Sequence, residues 1–195
     1  MKTIADHLFD ILENSVNAHA DKIVIKLSFS KNIFSCCILD NGIATNLDNI
    51  TDPFVTSRKT RKVGLGLPLL KSTVEGTGGY LTMTLSDKKR GTTLEFVINM
   101  THIDARPFGD LPAVFSDALC SWPGIDFEVI IIKSKKEKKI LDTAELKETL
   151  DVHTLVESEI LDFIKEDLRK ELLEIGIDQQ FGILSVSKYK KNQIR

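Results

Sequence analysis

Residues 62–68 read Lys62-Val63-Gly64-Leu65-Gly66-Leu67-Pro68, two glycines flanking a leucine just before an apolar-periodic run that ends at Glu75. Glycine lets a backbone approach a ligand closely, and a helix N-terminus offers free N–H groups and the positive end of a dipole. A glycine-spaced loop that opens a helix is therefore read as a phosphate site. Arg58, Lys59, Arg61 and Lys62 place four cations just upstream. The spacing is not that of a Walker loop, which needs Gly-x-x-x-x-Gly-Lys-Ser/Thr. Nor is it a dinucleotide fingerprint, because a polar stretch and not a strand precedes it.

Working outward, Leu65–Glu75 is expected to be a helix stopped by Gly76, Gly78 and Gly79. Tyr80–Leu85 and Thr92–Ile98 follow as two strands joined through Asp87-Lys88-Lys89-Arg90-Gly91. On the other side, a polar stretch runs back from Lys62 to Asp40-Asn41-Gly42. Before it, Ile33–Leu39 pairs with an alternating strand around Ile23, Ile25, Leu27 and Phe29 through a Ser30-Lys31-Asn32 turn. Thr3–Ala18 opens the chain as an amphipathic helix, with Thr3 as N-cap and Ile4, Leu8, Ile11, Leu12 and Val16 as its apolar stripe. Helix, hairpin, loop, helix, hairpin implies a two-layer α/β sandwich, with helices on one face of a mixed sheet.

Pro107, Gly109 and Pro112 interrupt the pattern between Thr101 and Pro112, so the chain divides into residues 1–103 and a small C-terminal α/β subdomain, residues 104–195. The first hundred residues carry 12 basic and 10 acidic side chains, the remainder 14 and 18. Val114–Leu119 is expected to be a short helix and Phe127–Ile132 a strand, with Lys133–Lys139 as a solvated hairpin tip. Asp142 with Glu145 caps another short helix. Thr154 with Glu157 reads as a capping box opening a helix about 33 Å long. Its apolar repeat is Val156, Ile160, Phe163, Ile164, Leu168, Leu172 and Ile175, with Gly176 as its stop.

Composition narrows the function classes. The 195 residues carry 26 Lys and Arg against 28 Asp and Glu, a formal net charge of −2, which argues against a dedicated nucleic-acid binder. No run of about 18 apolar residues is present to span a membrane, and the N-terminus lacks the apolar core of a signal peptide. Cys36, Cys37 and Cys120 are an odd set without metal-ligand spacing, read as reduced thiols. A cytoplasmic protein is the expectation.

On the polar side of the first helix, Asp10 and Asn14 stack one turn apart, with Asn17 a turn beyond. A carboxylate and two amides in line are either a solvent face or a metal-and-water site. Asp40-Asn41-Gly42 is either a tight turn or the wall of a site. Taken in order, however, the segments resemble the GHKL ATPases, and are closest to the histidine-kinase-like ATP-binding catalytic domain. Asp10-Ile11-Leu12-Glu13-Asn14-Ser15-Val16-Asn17-Ala18 looks like the family's N box, and Asp40-Asn41-Gly42-Ile43-Ala44 like its first glycine box. Asp52-Pro53-Phe54-Val55-Thr56-Ser57 looks like the phenylalanine box, Gly64-Leu65-Gly66-Leu67 like the second glycine box, and Gly91-Thr92-Thr93 like the closing Gly-Thr-Thr. The resemblance covers roughly the first hundred residues.

It implies ATP and Mg²⁺ as ligands. Asn14 would ligate the Mg²⁺, with Asn17 beside it, and Asp40 would accept from the adenine amine, with Gly42 leaving room for the ring. Gly64, Leu65, Gly66 and Leu67 would hold the phosphates under a lid from about Thr56 to Val63 that includes Lys59. Thr93 would help hold the adenine side. Asp10 stands where hydrolysing members carry a Glu general base. Three departures from the family pattern are Lys62-Val63 at the head of the second glycine box, Ala44 in place of a glycine, and Asp10 in place of Glu.

A histidine kinase also needs a phosphoacceptor His on a dimerising hairpin, usually before the N box. Only nine residues precede Asp10, so the acceptor is expected in trans. Three activities are compatible: a phosphotransferase acting on another protein, a nucleotide-gated regulator of the anti-sigma kind, and a slow ATPase. The long C-terminal helix either packs on its own subdomain or makes a homodimer.

Overall fold

The computed structural model describes residues 1–43, 66–85 and 90–177. The phenylalanine box, the expected lid with Lys59, and Ala44, Gly64 and Leu65 lie outside those residues.

Helix α1 (Ile4–Asn17) starts at a reciprocal cap: the Thr3 hydroxyl accepts from the Asp6 N–H, and the Asp6 carboxylate accepts from the N–H groups of Thr3 and Lys2. Its Ile4, Leu8, Ile11 and Leu12 face the core. Strands β1 (Lys22–Ser30) and β2 (Ile33–Asp40) form an antiparallel hairpin, and Lys31 and Asn32 at its tip adopt φ of 50° and 66°. Two consecutive left-handed residues give a turn whose twist matches that of the strands. After α2 (Gly66–Glu75) come β3 (Tyr80–Leu85) and β4 (Thr92–Asn99), also antiparallel.

The second half adds α3 (Leu111–Ser121), β5 (Asp126–Lys133), β6 (Lys136–Asp142), α4 (Thr143–Leu150) and α5 (Ser158–Glu174). Asp110 caps α3 through the Ala113 N–H, and Asp142 caps α4 through the Glu145 N–H as the sequence predicts. The six strands make one sheet in the order β3-β4-β2-β1-β5-β6, with β1 and β5 its single parallel pair among the described residues. Ile23 is paired with Phe127, Ile25 with Val129 and Leu27 with Ile131, so residues from both halves enter one hydrophobic cluster. Helices α2, α1, α3 and α5 lie side by side on that face. Phe9 of α1 stacks on Trp122 at the end of α3, ring centroids 5.1 Å apart. The expected α/β sandwich with a mixed sheet is the observed fold.

Three local expectations need correction. Thr154 and Glu157 do not form a capping box: α5 begins at Ser158, Glu157 is its N-cap, and no side chain bonds the first turn. The helix is therefore 17 residues, about 25 Å and not 33 Å. Ile164, Leu168 and Leu172 are buried as the periodicity predicts and Leu161 joins them, whereas Phe163 faces outward at the edge of the stripe and Val156 precedes the helix. Finally, the Lys133–Lys139 tip narrows to Ser134 and Lys135. Lys136–Lys139 are the exposed first part of the edge strand β6, where charged residues deter pairing with another sheet. Cys36 is buried, Cys37 half-buried and Cys120 exposed, all as free thiols.

Candidate functional site

At one end of the sheet, the last residue of β2 meets α1 and the start of β4. Side chains alternate along β2, so Asp40 lies on the helix-covered face with Ile38, Cys36 and Phe34. Four donors converge on its carboxylate. The N–H groups of Gly42 and Thr92 reach Oδ1 at 2.9 and 3.3 Å. The hydroxyls of Ser15, at 3.1 Å, and Thr92 donate to Oδ2. A carboxylate has about four lone-pair positions, and all four are engaged. The two hydroxyls rotate, so a position can be released to an incoming N–H without a backbone change.

Close backbone approaches build this cradle. A Cβ on Gly42 would lie 2.8 Å from the Ala18 carbonyl oxygen at the end of α1, so a side chain there would push the glycine box off the helix. Gly91 has φ +86°, and its Cβ would sit 2.2 Å from the Asp40 carbonyl oxygen. Gly91 N–H donates to Gly42 O at 2.6 Å, and Ile43 bridges to Arg90. Asn41 has a fixing role: its Oδ1 accepts from the N–H groups of Asp21 and Lys22 at 3.0 and 3.1 Å, tying the box to the start of β1.

One turn along α1 from Asn14, the Asp10 carboxylate lies against the start of α2. A Cβ on Gly66 would come within 2.9 Å of Asp10 Oδ2, so the glycine is what lets the two helices meet there. Gly66, from the Gly64–Leu67 run, is thus adjacent in space to Asp10 of α1, with a carboxylate at a helix N-terminus. Asp10 and Asn14 are half-buried, Asn17 is exposed, and Leu67 anchors α2 in the core. Behind them His7, 2% exposed, places Nε2 3.2 Å from Thr73 Oγ1 of α2. Burial pushes this imidazole down to about 4, helped by the N-terminal amine and Arg106.

Sequence reading selected Thr93, yet Thr92 is the residue that touches Asp40. Period-two alternation places Thr92 with the buried Leu94, Phe96 and Ile98, and sends Thr93 to the opposite face, level with Leu39. Reading that apolar alternation backward from Ile98 would have found it. Ser15 was also missed. It is buried between apolar neighbours on α1, and only the tertiary contact reveals its partner.

The fold is an α/β sandwich with a polar cradle around Asp40 where β2, α1 and β4 meet. Residues 3–102 match the family model described as histidine kinase-, DNA gyrase B- and HSP90-like ATPase, and the chain belongs to that family, whose domain binds ATP. Among solved structures, a mycobacterial sensor histidine kinase, MprB, is similar at 20% identity and a TM-score of 0.39, over 47% of this chain and 66% of that one. The catalytic domain of the histidine kinase ThkA is similar at 22% identity and 0.39, over 48% of this chain and 64% of that one. The chain thus spans less than two thirds of either. No curated protein matches in sequence. Among the described residues, no helix is long and apolar enough to cross a membrane.

Proposed function

We propose that the chain binds Mg-ATP between α1, the Asp40 cradle and the N-terminus of α2, and uses it in a signalling or regulatory system. The activity is histidine-kinase-like phosphotransfer to a protein in trans, or nucleotide-gated control of such a partner. The observation that carries the reading is the convergence of α1, the first glycine box and the closing Gly-Thr-Thr on one carboxylate. A fixed carboxylate with two rotatable donors suits the exocyclic amine of adenine.

The residues present also fit a metal-bound triphosphate. Among the described residues no three His, Cys, Asp or Glu side chains converge as a metal site. By the resemblance, Mg²⁺ would be held by the Asn14 carbonyl oxygen and by phosphate oxygens, a hard-ligand set suited to that ion. Bound there, it would neutralise phosphate charge. Gly66, and by the resemblance Gly64, would present N–H groups to the phosphates, with Leu65 and Leu67 shaping the loop. Lys59 and Asn17 would complete the binding set. Asp10 would orient or deprotonate the attacking group, a role typically worth 10²–10⁴-fold. Residues 1–103 would carry the nucleotide and residues 104–195 the partner contact, in the cytoplasm.

The test uses γ-labelled ATP and two variants of α1. Asn14→Ala is expected to weaken Mg-dependent binding, and binding equal to wild type refutes the metal assignment. Asp10→Asn should retain binding and slow any hydrolysis; an unchanged rate removes the general base. Acid-labile label on a second protein supports transfer to His or Asp. Free phosphate alone favours the alternative, a slow ATPase.

A further inference from the structure

At the β6 edge of the sheet, β6, α4 and α5 enclose a groove of about 250 Å³ lined by Ile140, Leu141, Leu146, Phe163 and Ile164. Phe163 is 69% exposed although it lies beside the buried stripe of α5, and Val156 and Leu150 are 43% and 46% exposed nearby in sequence. Apolar side chains left open around a groove mark a contact surface. Its rim is acidic: Asp142, Glu145 and Asp167 line it. Lys139, the one cation in the lining among the described residues, is held by Asp142 at 2.6 Å and lies 3.9 Å from Glu145. Residues 142–174 carry 11 Asp and Glu against 4 Lys and Arg. Two of those four are engaged locally, Lys147 with Asp126 and Arg169 with Glu166 and Asp110.

We propose that this groove docks a cationic amphipathic segment of a partner protein, an apolar side chain packing on Phe163 and Leu146 while flanking Lys or Arg side chains meet Asp167 and Glu145. The charge complementarity selects this occupant. The acidic rim repels nucleic acid and anionic lipid, and it disfavours a second copy docking through the same face. The surface is separate from the Asp40 cradle, so the proposal stands or falls apart from the nucleotide reading.

The probe is a fluorescent helical peptide of leucine and lysine, about 14 residues or four turns long, with a glutamate-for-lysine counterpart. Titrated with the full chain, the lysine peptide should bind at least about tenfold more tightly than the glutamate one, and weaken as salt rises. Phe163→Ala should cost about tenfold, as for an interface anchor, and leave ADP binding unchanged. Glu145→Lys with Asp167→Lys should abolish the preference. Equal binding of both peptides, or full affinity in Phe163→Ala, overturns the proposal. Two other occupants are distinguishable. Residues 178–195 contain Phe181, Ile183, Leu184, Lys188, Lys190 and Lys191. A chain ended at Ile177 that binds the lysine peptide about tenfold more tightly than the full chain would make these residues the occupant. Self-association lost in Phe163→Ala would make it a second copy. Either result overturns an external partner.

Discussion

The Asp40 cradle inside the sheet and the groove at its β6 edge solve opposite problems. At the Asp40 cradle, α1 and α2 approach each other and the sheet through glycines, and the polar side chains between them are held by named donors. At the β6 edge the same sheet and helix layer continue, but α5 leaves Phe163 in solvent above an acidic groove. The helices differ likewise. Helix α1 opens on a reciprocal cap and sets Asp10 and His7 against α2, whereas α5 opens without a side-chain cap. One site is preorganised around a carboxylate, and the other keeps apolar surface available.

The largest break in that comparison is to end the chain at residue 103. This strips β5 from β1 and α3 from α1, exposing Ile23, Ile25 and Leu27, all at 0% in the intact chain. Loss of cooperative thermal unfolding is expected; a sharp transition near that of the full chain would show that the first half is self-sufficient. In the intact chain, Trp122 is the sole tryptophan and stacks on Phe9 across the two halves. Its emission and far-UV circular dichroism should therefore report coincident urea transitions. Separated midpoints would mean that the halves unfold independently.

Acid should act next, through His7. Its folded value of about 4 lies below the ordinary 6.5, so the unfolded chain binds the proton more readily. The stability at stake is present in full above about pH 6.5 and is lost as pH falls toward 4, up to roughly 3 kcal/mol. Melting temperature measured against pH should drop in that window, and His7→Gln should flatten the drop. A parallel curve for the variant would place the acid sensitivity elsewhere.

Asp40→Asn should follow. Its amide would turn a donor toward at least one of the four donors it now accepts from, and lose the match to the adenine amine, a penalty of about 1–3 kcal/mol or roughly 5–150-fold in affinity. Calorimetry with ADP measures it, and equal affinities would dismantle the adenine assignment. The smallest effects concern the caps. Thr3→Ala should cost about 1 kcal/mol, whereas Glu157→Ser should gain a few tenths by supplying the cap that α5 lacks. Urea midpoints moving in the same direction for both would contradict the difference between the two helices.

The sequence by itself determined the elements of the first half and the boxes they carry. The reasons are local: Thr3 and Asp6 sit at capping distance, Lys31 and Asn32 make a two-residue turn, Asp40 ends an alternating strand, and Gly66 opens a helix. Tertiary structure alone decided which polar groups meet. Thr92 reaches Asp40 and Thr93 does not, because strand register fixes the face, and Ser15 gains its partner only when α1 lies on β2. It also decided that β5 joins β1, a pairing of residues more than a hundred apart that no local pattern encodes, and that α5 buries Leu161 while leaving Phe163 outside. Periodicity defines an apolar stripe only to within about one residue, and the packing partner selects the face that is buried.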